Sequence, residues 1–232
     1  MNHKTGFVWG MQVALIIGVA GCASKGPAVS PTRPAVDQEA ARADFSLGVA
    51  YFKGEGVQKD TTQAVQLWRK AADQGYAPAQ TALANTYYRG EGVPKDPTQG
   101  AEWCRKAAEQ GYAPGQSCLG WAYGTGQGVP KDTTRAVEWL RKAADQGNAF
   151  AQARLGFAYH NGEGVPKDPI QAVEWWRKAA DQGDVSAMNN LGRAYNEGFG
   201  VSKDTAQAVE WWRKAAETAA SKAEPSPMNP EH

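Results

Sequence analysis

Apolar side chains return to the same places every 36 residues along most of this chain. Tyr51, Tyr87, Tyr123, Tyr159 and Tyr195 keep that step without a slip. So do Leu47, Leu83, Leu119, Leu155 and Leu191, and Val57, Val93, Val129, Val165 and Val201. The polar positions repeat with them: a Lys-Asp pair runs from Lys59-Asp60 to Lys203-Asp204, and each unit closes on Arg-Lys-Ala-Ala, from Arg69 to Ala216. A fixed period of this length means stacked supersecondary units, each too small to bury its own apolar face. Five units without insertion or deletion cannot arise by chance.

Each unit predicts two helices. In the first, Leu47, Gly48, Ala50 and Tyr51 lie on one face at helical spacing, with small residues allowing close approach. Gly54 and Gly56 then break the helix and make a tight loop. Asp60 opens the second helix as an N-cap, and Gln63 three residues on predicts a capping-box-like pair, repeated at Asp96/Gln99, Asp168/Gln171 and Asp204/Gln207. Pro97 and Pro169 fall at the first helical position, where a missing N–H costs nothing. The spacing predicts a buried stripe of Ala64, Leu67, Trp68 and Ala71 on the second helix. Later units carry Trp103, Trp139, Trp175 and Trp211 at the Leu67 position, and Trp176 and Trp212 at the next. Gly75, Gly111, Gly147 and Gly183 read as left-handed C-terminal stops.

These residues resemble the Sel1-like repeat, a relative of the tetratricopeptide repeat. The fourth unit carries the pattern as Ala151, Leu155, Gly156, Tyr159, Gly162, Gly164, Val165, Lys167, Asp168, Ala172, Trp175, Ala179-Ala180 and Gly183. The resemblance implies an all-α, right-handed solenoid of five helix–turn–helix units at residues 43–78, 79–114, 115–150, 151–186 and 187–222. Departures are few: Ala84 replaces a glycine, Gly100 an alanine, and Phe199 takes the loop glutamate's place. Unit five lacks a stop glycine, so its second helix is expected to run on through Lys222 as a polar cap, with a disordered tail from Pro225.

Stacking buries the shared positions, so the variable ones inform about function. On the first helices these align with residues 45, 49, 52 and 53. In the tetratricopeptide relatives the matching face lines a concave groove. Here that face would carry Asn85, Tyr88, Arg89, Trp121, Phe157, His160, Arg193 and Asn196. Aromatic and arginine side chains are the usual anchors of a binding surface. The expected occupant is a protein or peptide partner, with the chain itself a monomer. The alternative is that these positions drift because nothing depends on them.

The N-terminus adds a location. Lys4 precedes an apolar run from Phe7 to Ala20, short for a membrane span but suited to a signal peptide. The run ends in Val19-Ala20-Gly21-Cys22, which resembles a bacterial lipobox with Cys22 as the lipidated residue. A plain signal peptide, or a buried helix with an incidental cysteine, would share the apolar run. By the lipoprotein resemblance, Ala23 after the cysteine favours the outer membrane, facing the periplasm. Residues 22–36 then read as a Pro-rich flexible tether, and 37–222 as the repeat body. The net charge of +1 loses its one lysine with residues 1–21, leaving 24 basic and 24 acidic groups. That balance gives nucleic acid nothing to bind.

Cys104 and Cys118 lie seven residues either side of Gly111, which places them at similar height on antiparallel helices and suggests a disulfide in an oxidising compartment. Two buried thiols filling a gap are the alternative. Chemistry is otherwise sparse. His160 is the one histidine of the repeat body, which leaves no histidine-based metal cluster, and neither G-x-S-x-G nor H-E-x-x-H occurs. The G-x-G loops lack the preceding strand a phosphate loop needs. The sequence therefore reads as a non-catalytic scaffold without metal or cofactor. Some cysteine-rich relatives have been described as penicillin-binding or β-lactamase-like, and that resemblance implies a peptidoglycan- or β-lactam-directed alternative.

Overall fold

The computed structural model describes residues 35–223, which form ten α-helices and no strand among the described residues. In chain order these are α1 (Ala35–Lys53), α2 (Thr61–Asp73), α3 (Ala77–Arg89), α4 (Pro97–Glu109) and α5 (Ala113–Thr125). They continue as α6 (Thr133–Asp145), α7 (Ala149–Asn161), α8 (Pro169–Ala180), α9 (Val185–Glu197) and α10 (Thr205–Ala223). The leader, Cys22, the tether up to Pro34 and the tail from Pro225 lie outside the described residues. Each first helix packs on the second helix of its own unit and, from α3 onward, on that of the unit before. The result is an all-α solenoid. The inner helices α3, α5, α7 and α9 also touch one another in succession, whereas second helices make no comparable contact with each other. The first helices therefore line the concave side.

The helix starts follow from local chemistry, with one difference from the sequence reading. Asp60 Oδ1 accepts from Gln63 N at 2.9 Å, and Asp168 Oδ1 accepts from Ile170 N and Gln171 N at 3.0 and 3.1 Å. The reciprocal half of the capping box is made otherwise. Asp60 N donates to the carbonyl of Tyr51, as Asp96, Asp132, Asp168 and Asp204 do to Tyr87, Tyr123, Tyr159 and Tyr195. The aspartate N–H thus closes the loop onto the preceding helix and needs no glutamine side chain. Both loop glycines are left-handed, Gly54 at φ 79° and Gly56 at φ 72°. The unit boundaries fall two residues earlier than the 43–78 register, because a 36-residue period fixes spacing but not phase. The first helices of units two to four start at Ala77, Ala113 and Ala149.

Packing between units is set by close backbone approach. A Cβ on the loop residue Gly92 would sit 2.6 Å from the carbonyl oxygen of Thr61, at the head of the preceding unit's second helix. Gly128, Gly164 and Gly200 meet Pro97, Thr133 and Pro169 in the same way. Within units, a Cβ on Gly48 would lie 2.5 Å from the Trp68 indole, so glycine and tryptophan fit as a pair. Unit two replaces the pair with Ala84 and Cys104. Between these contacts Leu83, Leu119, Leu155 and Leu191 are fully buried. A glutamine ladder crosses the units: Gln110, Gln146 and Gln182 donate to Gln80, Gln116 and Gln152 at 2.7–2.8 Å. Gln80 and Gln152 donate in turn to the Ala72 and Ala144 carbonyls at 3.1 Å, satisfying helix ends that would otherwise be buried unpaired.

The buried stripe on the second helices is Ala64, Val65, Trp68, Ala71 and Ala72, with Leu67 only half-buried. The stripe is wider than the sequence suggested because each second helix serves its own unit and the next. The ends of the array differ from its middle. Leu47 on α1 and Val209 and Trp212 on α10 are exposed. α10 runs on past Lys222 to Ala223 and exposes Glu210, Arg213, Lys214 and Glu217, and Val209 and Trp212 stand exposed among them.

The structure joins Cys104 on α4 to Cys118 on α5 by a disulfide, with the Cα atoms 5.6 Å apart, a separation usual for such bonds. The closed loop spans 14 residues, so reduction is expected to cost up to about 3 kcal/mol. Urea melts with and without reductant measure that loss. The loop glycines give a second expectation. Gly56→Ala carries only the left-handed backbone cost of about 1 kcal/mol, because nothing lies within 4 Å of its Cβ. Gly164→Ala adds a collision with the Thr133 carbonyl and should cost about 1–3 kcal/mol more. The difference between the two urea midpoints isolates the packing between units.

Candidate partner-binding groove

Three adjoining depressions run along the face of the first helices. The first is a cavity of about 480 Å³ between α3 and α5, walled by Tyr88, Trp121 and Phe150 and edged by Thr81, Asn85, Arg89 and Ser117. Tyr88 and Trp121 meet edge to face, centroids 5.0 Å apart at 81°. Departures from the repeat pattern build this cup. Gly100 stands where other units have alanine, and a Cβ there would touch the Tyr88 ring at 3.0 Å. Cys104 stands where other units have tryptophan or leucine, and its Sγ lies 4.0 Å from the Tyr88 hydroxyl. Both changes make room for a large ring, and Cys118 at the cavity floor is tied to Cys104. Burial pushes the Tyr88 hydroxyl well above the usual phenol range, so it stays neutral.

The second cavity, of about 230 Å³, lies between α5, α6 and α7 and is lined by Trp121, Leu140, Arg154, Phe157, Asn161 and Glu163. It exists because Gly124 occupies the place of Phe52, Tyr88, His160 and Asn196 in the other units. The third depression, about 10 Å³, is bordered by His160, Trp176, Arg193, Glu197 and Phe199. His160 contacts Phe199 and Trp176 with centroids 4.5 and 5.5 Å apart, and Phe157 meets Trp176 at 5.8 Å. Desolvation, followed by Lys167 and Arg193, lowers the His160 pKa against a smaller opposing pull from Glu197. The neutral imidazole is thus favoured at neutral pH.

Of the residues the sequence singled out, Asn85, Tyr88, Arg89 and Trp121 come together in the first cavity, and Trp121 and Phe157 in the second. His160 and Arg193 border the third, and Asn196 lines none of the three. Phe150, Arg154, Glu163 and Trp176 are among the lining residues outside that set. Phe150 replaces the first-turn prolines Pro78 and Pro114, a substitution that could have been noticed. Arg154, whose guanidinium lies 5.9 Å from the Phe150 ring centroid, sits at a position not among the variable four. Glu163 and Trp176 carry the repeat's own residue types, so nothing in the pattern distinguishes them. The groove can hold an extended segment, with side chains in the apolar cups and polar groups at their rims. Among the described residues no cluster of three His, Cys, Asp or Glu side chains could hold a metal.

The Sel1 repeat model matches the chain five times, at residues 41–76, 77–112, 114–148, 149–184 and 185–217. Solved structures agree. A Sel1 repeat protein from Oxalobacter formigenes superposes with a TM-score of 0.72 at 35% identity, covering 79% of this chain and 73% of its own. The protective antigen c5321 of uropathogenic Escherichia coli, which displays the same fold, gives a TM-score of 0.70 at 39% identity over 78% of this chain. The chain spans only 39% of that antigen's length. The immunity protein Pa5087 of Pseudomonas aeruginosa shares the fold at 24% identity and a TM-score of 0.58. No match is found among curated proteins. Sel1 repeat proteins are generally protein-interaction scaffolds and mostly non-enzymatic. Five consecutive matched units and a 35% identical solved relative place this chain in the Sel1 repeat family.

Proposed function

We propose that this protein is a non-catalytic adaptor that holds an extended protein or peptide segment along its concave face. The observation that carries the reading is the position of Trp121, which forms a wall of both larger cavities. An indole shared by two cups lets consecutive side chains of one segment pack on opposite sides of a single anchor. Anchors of this kind, aromatic and partly buried at the centre of a surface, dominate binding energy where they occur. The rims supply Asn85, Thr81, Ser117 and Asn161 for main-chain hydrogen bonds, and Arg89, Arg154 and Glu163 for charge. The reading extends to location: lipidation at Cys22 would tether the body to the bacterial envelope on the periplasmic side, where the Cys104–Cys118 bond is stable.

The double variant Trp121→Ala/Phe157→Ala tests the groove. Both side chains are half-buried on the inner face, so helical circular dichroism should persist. Partner capture by in-cell crosslinking should fall about 30-fold or more, the effect of losing a hot-spot anchor of about 2 kcal/mol. Undiminished capture would remove the groove from the account. Cys22→Ser tests the anchor separately. The variant should move from the membrane to the soluble fraction, and unchanged fractionation would refute lipid attachment.

A further inference from the structure

We propose that the two ends of the solenoid bind each other, so that copies of this chain stack head to tail through the contact that already joins its own units. The observation is an asymmetry between equivalent positions. Leu83, Leu119, Leu155 and Leu191 are 0–1% exposed, yet Leu47 at the same place in α1 is 45% exposed. At the other end Val209 and Trp212 are 60% and 39% exposed, whereas their counterparts Val173 and Trp176 are 3% and 2% exposed. These are the two halves of one interface. Among the described residues no second helix precedes α1 and no first helix follows α10. A Val/Trp face meets a Leu face twice within the chain, at Val65/Trp68 before Leu83 and at Val173/Trp176 before Leu191, and the same pair of faces fits once more between chains.

The polar register agrees. Inside the array, an arginine of one unit donates to the tyrosine hydroxyl 18 residues on, as Arg69 does to Tyr87 and Arg177 to Tyr195. Arg213 meets no such tyrosine among the described residues and turns instead to Glu217, 3.5 Å away. Five periods on, the missing hydroxyl is Tyr51 of the next copy. Similarly, the internal loop glycines lie against the head of the preceding second helix, while Gly56 has nothing within 4 Å. Its partner in the stacked register is the carbonyl of Thr205 at the start of α10. One internal contact is not reproduced, and the structure compensates. Asp44 replaces the ladder glutamine that donates to the previous unit's carbonyl and takes Lys70 instead. The facing carbonyl belongs to Ala216, and α10 continues past it to Ala223, so it keeps an intrahelical partner. Because the two faces differ, the contact is heterologous and adds copies in one direction. Val209 and Trp212 exposed on a terminal repeat, where a polar face secures solubility, are what such stacking needs. The monomer expected from sequence would be one link of this array.

The test places the photo-crosslinker p-benzoylphenylalanine at Val209 in cells making the full chain. The expected product is a ladder of dimers and higher species, with the crosslinked peptide mapping to residues 43–51 of a second copy. Adding Leu47→Glu to the same chain, at a site exposed enough to leave folding and circular dichroism unchanged, should abolish the ladder. Co-expression with a Val209→Glu chain, whose Leu47 face is intact, should then restore one dimer band and nothing larger. Crosslinks confined to residues 1–34 or 224–232 of the same chain, crosslinks only to another protein, or no crosslink would each overturn the proposal. So would a ladder that survives Leu47→Glu.

Discussion

Everything in this molecule depends on the contact between one unit's second helix and the next unit's first helix. A single helical hairpin presents apolar surface on two sides and can bury only one of them itself. The other side, a stripe of Val65, Trp68 and Ala72 in unit two's predecessor, needs the Leu83 face beside it. Glycines set how close that contact becomes, because the loop backbone of one unit rests on the helix head of another. A side chain on Gly92 would push the units apart and open the leucine layer. The steadiness of the 36-residue period follows: one residue inserted before the leucine in a first helix would turn that unit's leucine away from its neighbour.

The same constraint shapes the groove. Close packing consumes the outer positions of every unit, leaving the inner face of the first helices free to vary. The variation is not random with respect to the core. Tyr88 enlarges one site only because Gly100 and Cys104 shrink beneath it, and Gly124 empties another by omitting a side chain that its counterparts keep. The first cavity is thus made by exchanging bulk between layers, with the disulfide holding α4 to α5 under the enlarged ring. Where the exchange does not occur, as around His160, aromatic side chains fill the space and almost no cavity remains.

Uniform repetition also leaves the ends as the least satisfied parts of the array. An internal unit finds both its neighbours in the chain, and a terminal unit finds one. Leu47, Val209 and Trp212 are exposed on the first and last of the described helices, although their residue types are those of the interior. The turning of Arg213 toward Glu217 is the polar side of the same fact.

The sequence by itself determined the helices, their caps and stops, the number of units and the family. These follow from spacing and short-range chemistry: an aspartate before a helix, a glycine after one, apolar positions at helical intervals. It also indicated which inner positions vary, and Tyr88, Trp121 and Phe157 came from that alone. Tertiary structure decided what periodicity cannot carry. It fixed the phase of the units, gave the aspartate N–H to a tyrosine carbonyl rather than a glutamine side chain, and widened the buried stripe to include Val65 and Ala72. It brought Phe150 and Arg154 into the first two cavities from a neighbouring helix. It also separated Leu47 from Leu83, and Trp212 from Trp176, residues that look the same in the repeat pattern. A repeat pattern records what each position packs against on average. Only the three-dimensional array shows where that neighbour is missing.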